Sequence, residues 1–84
     1  MRVQVLFFGM LKDMVGRASE SLELPEPATV ADVLEHYSQR IPDLQKFFGS
    51  VALSVNQHYA APATALRPND EVALLPPVSG GSMP

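Results

Sequence analysis

Residues 29–42, which read TVADVLEHYSQRIP, decide the fold of this 84-residue chain. Thr29 is a typical helix N-cap, Asp32 completes a capping box three residues later, and Pro42 ends the helix at or just before Ile41. Between these limits the apolar side chains recur at helical spacing and form one stripe: Val30, Val33, Leu34, Tyr37 and Ile41. A helix with a single apolar stripe needs a sheet to cover it, so we expect a two-layer α+β domain.

Four segments around this helix have the apolar or alternating pattern of β-strands. They are residues 3–8, 19–24, 51–55 and 71–75. Asn56 and Gln57 turn the chain into a short return strand at residues 58–60. We therefore expect one mixed sheet packed on one main amphipathic helix.

Two shorter helical segments are also expected. Residues 10–15 have apolar side chains at helical spacing and stop at Gly16, which suits a glycine C-cap. Residues 43–48 form a further short helical turn, in which Phe47 or Phe48 covers the core.

Composition narrows the class of protein. Six Lys plus Arg against nine Asp plus Glu give a net charge of −3, which argues against nucleic acid or an anionic membrane as the main partner. The chain contains no cysteine, so a disulfide framework, a thiolate nucleophile and Cys-based metal sites are excluded. No apolar run approaches the ~20 residues that span a bilayer, and no signal-peptide pattern opens the chain. We expect a soluble, cytoplasmic protein.

Three large apolar side chains are predicted on the face of the sheet that points away from the helix, where the other side chains are polar or small. If alternate residues of the first strand face the helix, Leu6 and Phe8 face away from it, and the same alternation turns Leu75 outward in the last strand. Either loops cover these side chains, or they form an exposed apolar patch that binds another protein. The unusual segment that follows Leu75 favours the second interpretation, an exposed patch that binds another protein.

That segment, residues 76–84, reads PPVSGGSMP and cannot form a regular element. Pro76 and Pro77 force an extended path away from the sheet, and Gly80 and Gly81 provide a segment without side chains. On composition alone a frayed terminus is the simpler interpretation, because chain ends that contain Gly and Ser are usually poorly ordered. We expect a domain at residues 1–75 and a flexible C-terminal tail at residues 76–84.

The histidines and carboxylates of the sequence do not form a pattern that is typical of a catalytic site. His36 fits a solvated helix surface, and His58 has no metal-ligand partner at a suitable spacing. Asp32 and Glu35 are better explained as a solvated helix face that complements the helix dipole than as an acid/base pair. The sequence predicts no catalytic residue and no metal site on this chain.

The sequence resembles the small ubiquitin-like sulfur carriers of the β-grasp fold, the MoaD/ThiS family, and within it the molybdopterin synthase small subunits. The resemblance covers essentially the whole chain and rests on three runs: VLFF at residues 5–8, VNQ at residues 55–57, and DEVALLPPVSGG at residues 70–81. The related carriers of the thiamine pathway share the fold and the Gly-Gly pair. They are typically shorter and lack the Pro-Pro-Val-Ser segment before it.

The resemblance implies chemistry that is performed on this chain rather than by it. In the family, an activating enzyme uses ATP and magnesium to adenylate the carboxylate of the final glycine, here Gly81. A sulfur donor then converts the adenylate to a thiocarboxylate. The tail threads into the large synthase subunit, which transfers the sulfur to the pterin precursor of the molybdenum cofactor.

The same resemblance assigns roles to other positions. Phe8 and Leu75 lie where family members dock onto their partners, and Leu6 belongs to the same predicted interface. The residues expected to thread into the partners are Pro76, Pro77, Val78, Ser79 and Gly80. The carrier itself is expected to bind no cofactor, and the catalytic groups are expected on the partner subunit of this transferase complex.

One departure from the family pattern matters, because Ser82, Met83 and Pro84 follow Gly81 and leave it without a free carboxylate. Three explanations are open: a peptidase removes the tripeptide, the tripeptide derives from the expression vector, or the chain has lost carrier activity. Other functions also stay open. They are a sulfur carrier for thiamine or cysteine synthesis, a protein-conjugation modifier, and a ubiquitin-like interaction domain without tail chemistry.

Overall fold

The computed structural model describes residues 1–76, without the side chains of Phe47 and Phe48. Within these residues the strands are β1 (Arg2–Phe7), β2 (Ser19–Glu23), β3 (Ala52–Val55), β4 (His58–Tyr59) and β5 (Glu71–Leu75). The helices are α1 (Gly9–Val15), α2 (Val30–Arg40) and a 3₁₀ helix (Pro42–Ser50). The predicted cover of the core by Phe47 or Phe48 lies outside the described side chains.

The five strands form one mixed sheet in the order β2-β1-β5-β3-β4. β1 pairs with β5 in parallel, and the other three pairs are antiparallel. The first and last strands are therefore neighbours in the middle of the sheet, and the chain beyond Leu75 leaves from a central strand. The predicted β-grasp fold, a mixed sheet under one main amphipathic helix, is confirmed.

The core lies between α2 and one face of this sheet. The apolar stripe of α2 supplies Val30, Val33, Leu34 and Tyr37, all buried, while Ile41 at its end is half-buried. The Tyr37 and Phe7 rings meet edge to face with centroids 4.9 Å apart. Because burial of one such side chain contributes about 1.5–3 kcal/mol, this stripe is what attaches the helix to the sheet.

Both helix boundaries of α2 follow the predicted signals. The Thr29 backbone N–H donates to Asp32 Oδ2 at 2.7 Å, which is the capping-box contact. The helix ends at Arg40, and the Ile41 N–H donates to the Tyr37 carbonyl at 2.8 Å before Pro42. Gly16 ends α1 with a φ of 92°, a left-handed cap that glycine adopts without strain.

The turn at Asn56 and Gln57 has φ values of 52° and 73°, as a two-residue hairpin turn between β3 and β4 requires. The Asn56 side chain also connects this hairpin to the start of β5. Its Oδ1 accepts from the Glu71 N–H at 3.0 Å, and its Nδ2 donates to Asp70 Oδ1 at 3.0 Å. The turn therefore fixes the position of β5 as well as that of β4.

A polar cluster between β2 and α2 was not predicted from the sequence. Glu20 lies on the helix side of β2, where its Oε2 accepts from the Tyr37 hydroxyl and from Arg40 Nη1, each at 2.7 Å. The Arg40 hydrogen bond, followed by the Tyr37 hydrogen bond, holds the pKa of Glu20 below its ordinary value. Burial, together with the negative Glu20 partner, raises the pKa of the Tyr37 hydroxyl.

No helix among the described residues is long and apolar enough to cross a membrane.

Candidate functional site

The face of the sheet that points away from α2 is divided into a polar and an apolar part. At the start of β1 the side chains are polar: Arg2 Nε lies 3.0 Å from Glu23 Oε2, and the Ser21 hydroxyl donates to Gln4 Oε1 at 3.2 Å. Towards the end of β1 and β5 the same face becomes apolar. β5 ends at this apolar end, where Leu75 is followed by Pro76, the last residue described.

Strand register places five apolar or aromatic residues at that end. Leu6 pairs with Ala73, Ala73 with Ser54, and Ser54 with Tyr59, so one row crosses four strands over about 14 Å. Leu75 lies two residues beyond Ala73 on the same face, and Phe8 two residues beyond Leu6. We call this set the tail-root patch; its members are Leu6, Phe8, Tyr59, Ala73 and Leu75.

Phe8 is the most informative member because it is both large and exposed. Its backbone is extended (φ −123°, ψ 156°), so the alternation of β1 continues through it and its ring joins the side of Leu6. The ring is 45% exposed, although a side chain of this kind is usually buried. A groove of about 480 Å³ lies beside it, lined by Leu6, Phe7, Phe8, Gly9, Lys12, Ala18 and Ser19.

The first residue of the tail is held against the domain. Continuing the β1–β5 register beyond the pair Phe7–Leu74 brings Phe8 beside Leu75 and Gly9 beside Pro76. A Cβ atom at Gly9 would lie 2.8 Å from Pro76 Cγ, closer than packed carbon atoms approach one another. The start of the tail is therefore in contact with the corner between β1 and α1.

The predicted interface residues Leu6, Phe8 and Leu75 are thus brought together on one face, and their role in binding stays a prediction. Tyr59, which is 83% exposed, and Gly9 were missed. The alternation of the short return strand could have identified Tyr59. The sequence holds no signal for the Gly9 contact, because that contact depends on the parallel pairing of β1 with β5.

Among the remaining predicted positions, Pro77, Val78, Ser79, Gly80 and Gly81 lie outside the described residues, so the proposed division at residue 75 also stays a prediction. The two histidines lie apart in the fold. His36 is on α2 with its ring edge-on to Tyr37, and His58 is on β4 opposite Val55. Within residues 1–76, no group of three or more His, Cys, Asp or Glu is arranged to hold a metal ion.

Comparison with protein families gives a match to the ThiS family over residues 5–81. The chain belongs to the ThiS family. The match includes all of the tail-root patch and ends at Gly81, so Ser82, Met83 and Pro84 lie beyond it.

Individual members agree with this assignment. The molybdopterin synthase sulfur carrier subunit of Caenorhabditis elegans is 35% identical over 81 residues, which cover 94% of this chain and 96% of the relative. The crystal structure of SAMP1 from Haloferax volcanii has a TM-score of 0.82 at 27% identity, covering 96% of this chain and all of the other. Both matches thus cover most of this ThiS-family chain and most of the relative.

A third similar structure comes from a protein–protein complex of subunits 1 and 2 of the molybdopterin-converting factor from Helicobacter pylori. Its matched chain is 30% identical, has a TM-score of 0.64, and is covered completely by 96% of this chain. At least one relative of this ThiS-family chain has thus been observed with a protein partner.

Proposed function

We propose that this protein is a sulfur carrier and the small subunit of a molybdopterin synthase. The observation that carries the proposal is the position of the tail-root patch. An apolar patch with two exposed aromatic rings, Phe8 and Tyr59, lies at the end of the sheet where β5 leads into the Gly-Gly tail, so a partner that binds the patch also receives the tail. The sulfur carrier subunits among the relatives support the same function.

In this proposal the reacting atom belongs to Gly81. Its carboxylate attacks the α-phosphorus of ATP in an activating enzyme that uses magnesium, and pyrophosphate leaves. A sulfur donor then displaces AMP from the acyl-adenylate and leaves a thiocarboxylate, whose sulfur is passed to a pterin precursor. The carrier chain binds neither the nucleotide nor the metal.

The tail suits this task for two physical reasons. Pro76 and Pro77 restrict the conformations that the free tail samples, which reduces the entropy lost when it enters a narrow site. Gly80 and Gly81 allow the backbone to approach a partner's surface closely because they carry no side chain. One slender segment can therefore serve both the activating enzyme and the large synthase subunit.

The proposal requires that Gly81 become the last residue, so Ser82, Met83 and Pro84 are removed before activation, by a peptidase in the cytoplasm. The family match ends at Gly81, which supports this step. The large subunit is the expected partner during sulfur transfer. The Helicobacter pylori complex of two subunits supports a heteromeric assembly of this kind.

The intact mass of the protein recovered from its native cell tests the proposal. We expect a chain that ends at Gly81 and that gains the mass of one oxygen-to-sulfur exchange after incubation with ATP, the activating enzyme and a sulfur donor. A chain ending at Gly80, incubated in the same way, is the control. Recovery of full-length, unmodified protein alone from a cell that makes the cofactor would refute the proposal.

A second candidate is a modifier that is conjugated to other proteins, and the similarity to SAMP1 at a TM-score of 0.82 favours it. Both functions use an activated Gly81, but the acceptor differs. A modifier forms an isopeptide bond to lysine, whereas a carrier surrenders only its sulfur. Pull-down from native lysate discriminates between them: covalent adducts support the modifier, a synthase large subunit supports our proposal, and a thiazole synthase indicates a thiamine carrier.

A further inference from the structure

Gly9 combines two properties that no other described glycine combines. Its φ is +54°, in the left-handed region, and a Cβ placed on it would lie 2.8 Å from Pro76 Cγ and 3.7 Å from Pro76 Cδ. Gly16 also has a left-handed φ, of +92°, but a Cβ there would meet nothing within 4 Å. Among the described glycines, Gly9 is therefore the one at which a side chain would clash with the start of the tail.

The contact lies at the point where the sheet stops holding the chain. β5 is paired on both sides up to Leu74, which faces Phe7 on one side and Leu53 on the other. Pro76 has no backbone N–H and cannot extend the ladder as a donor. Its ring packs against Gly9 instead, where a Cβ would lie 2.8 Å from Pro76 Cγ.

We propose that Gly9 is a positioning residue that fixes the root of the tail at Pro76 and so sets where the Gly81 carboxylate arrives in a docked partner. This inference rests on the proposed function, which it deepens. Five residues, 77–81, separate the root from the reacting carboxylate, a span of at most about 18 Å when extended. With so few residues between them, a shift of the chain at Pro76 leaves the tail little length with which to bring Gly81 back to the same place.

A pyrrolidine ring can change its pucker, but its nitrogen and Cα are backbone atoms. A displacement larger than the pucker allows must therefore move the tail root itself. A methyl group at position 9 thus acts on the direction of the tail, while the tail-root patch, which binds the partner, keeps its side chains. The expected kinetic effect is on kcat rather than on KM.

The test compares four variants of the chain ending at Gly81, whose folded part is residues 1–76, in ATP-dependent pyrophosphate release by the activating enzyme. Gly9→Ala should lower kcat about tenfold or more, since a misplacement near 1 Å can cost up to 10²-fold. Gly16→Ala, which introduces backbone strain without touching Pro76, should leave kcat unchanged. Pro76→Ala removes the ring, and Gly9→Ala/Pro76→Ala should react like Pro76→Ala alone.

Several results would overturn the inference. Equal kcat values for wild type and Gly9→Ala would overturn this inference but not the proposed function. The same holds for a loss shared with Gly16→Ala, or for a double variant that is slower than Pro76→Ala. Absence of adenylation in wild type would overturn both this inference and the proposed function. Urea unfolding of each variant shows whether a loss of activity is a loss of fold.

Nuclear Overhauser spectroscopy of the full-length protein tests the contact without any partner. We expect a cross-peak between the Gly9 Hα protons and the Pro76 ring, and its loss in Gly9→Ala together with shifted Pro76 resonances. Its absence in wild type would overturn the inference while leaving the proposed function intact.

Discussion

The Tyr37 hydroxyl donates a 2.7 Å hydrogen bond to Glu20 Oε2 and thereby connects the C-terminal half of α2 to the edge strand β2. Arg40 reaches the same carboxylate oxygen at 2.7 Å, and its guanidinium lies 5.7 Å from the centre of the Tyr37 ring. The same ring meets the Phe7 ring edge to face, with centroids 4.9 Å apart, and the chain neighbour of Phe7 is Phe8. This cluster therefore supports the sheet directly behind the tail-root patch.

Tyr37→Phe should lower the free energy of unfolding by about 1–2 kcal/mol, because it keeps the buried ring but removes a hydrogen bond to a charged group. Urea denaturation followed by circular dichroism measures the change. Tyr59→Phe is the matched control, since Tyr59 is 83% exposed and should lose almost nothing. Equal losses in the two variants would contradict a structural role for the Tyr37 hydroxyl.

Stability should fall in acid because of Glu20. Its pKa is lowered in the folded state, chiefly by the Arg40 hydrogen bond, so the ionised carboxylate stabilises the fold at pH values above its ordinary pKa of 4.5. That contribution is lost as the pH falls from 4.5 through the lowered folded-state pKa. Glu20→Gln should therefore be less stable than wild type at neutral pH, and the difference should shrink in acid.

Thermal unfolding across this range measures the effect. Glu35→Gln removes one carboxylate from an exposed position on α2 and is the control for net charge. A Glu20→Gln variant whose deficit stays constant with pH would show that the carboxylate contributes through packing alone.

Two adjacent leucines test the two faces of β5. Leu74 is 1% exposed and packs under α2, so Leu74→Ala should cost about 2–5 kcal/mol of stability. Leu75 is half-buried on the opposite face, so Leu75→Ala should cost about 1 kcal/mol or less and instead weaken binding to the large subunit. Urea denaturation and calorimetric titration separate the two effects. A reversed pattern would contradict the strand register.

Phe8→Asp should weaken binding to the large subunit by about 2 kcal/mol or more, if the 45%-exposed ring is an anchor of the interface. The fold should persist, because the ring lies outside the core. Gln39→Asp adds the same charge on the helix side of the domain and should bind like wild type. Calorimetric titration gives both affinities; an unfolded Phe8→Asp variant would contradict the exposed position of the ring.

Local signals in the sequence account for most of the fold. The capping box at Thr29 and Asp32, the stop at Pro42 and the stripe of α2 act within a few residues, so each could be predicted from spacing alone. Leu6 and Leu75 could be assigned to the outer face for the same reason, since alternation along a strand is local.

What could not be predicted depends on residues far apart in the chain. Glu20 was not expected to bind Tyr37 and Arg40, because strand alternation does not reveal which helical side chains lie above a strand. The Gly9–Pro76 contact joins the two ends of the domain and exists only once β1 and β5 pair in parallel. Asn56 was predicted as a turn residue, but its bonds to Asp70 and Glu71 cross between segments.

The parallel pairing of β1 and β5 also determines how the domain responds when its tail is pulled. Tension on the tail enters at Leu75 and runs along β5, which is paired with β1 on one side and β3 on the other. A force along the strands shears these ladders, so many hydrogen bonds must break together instead of opening one at a time. We therefore expect the domain to resist a pull on its tail better than it would if β5 were an edge strand.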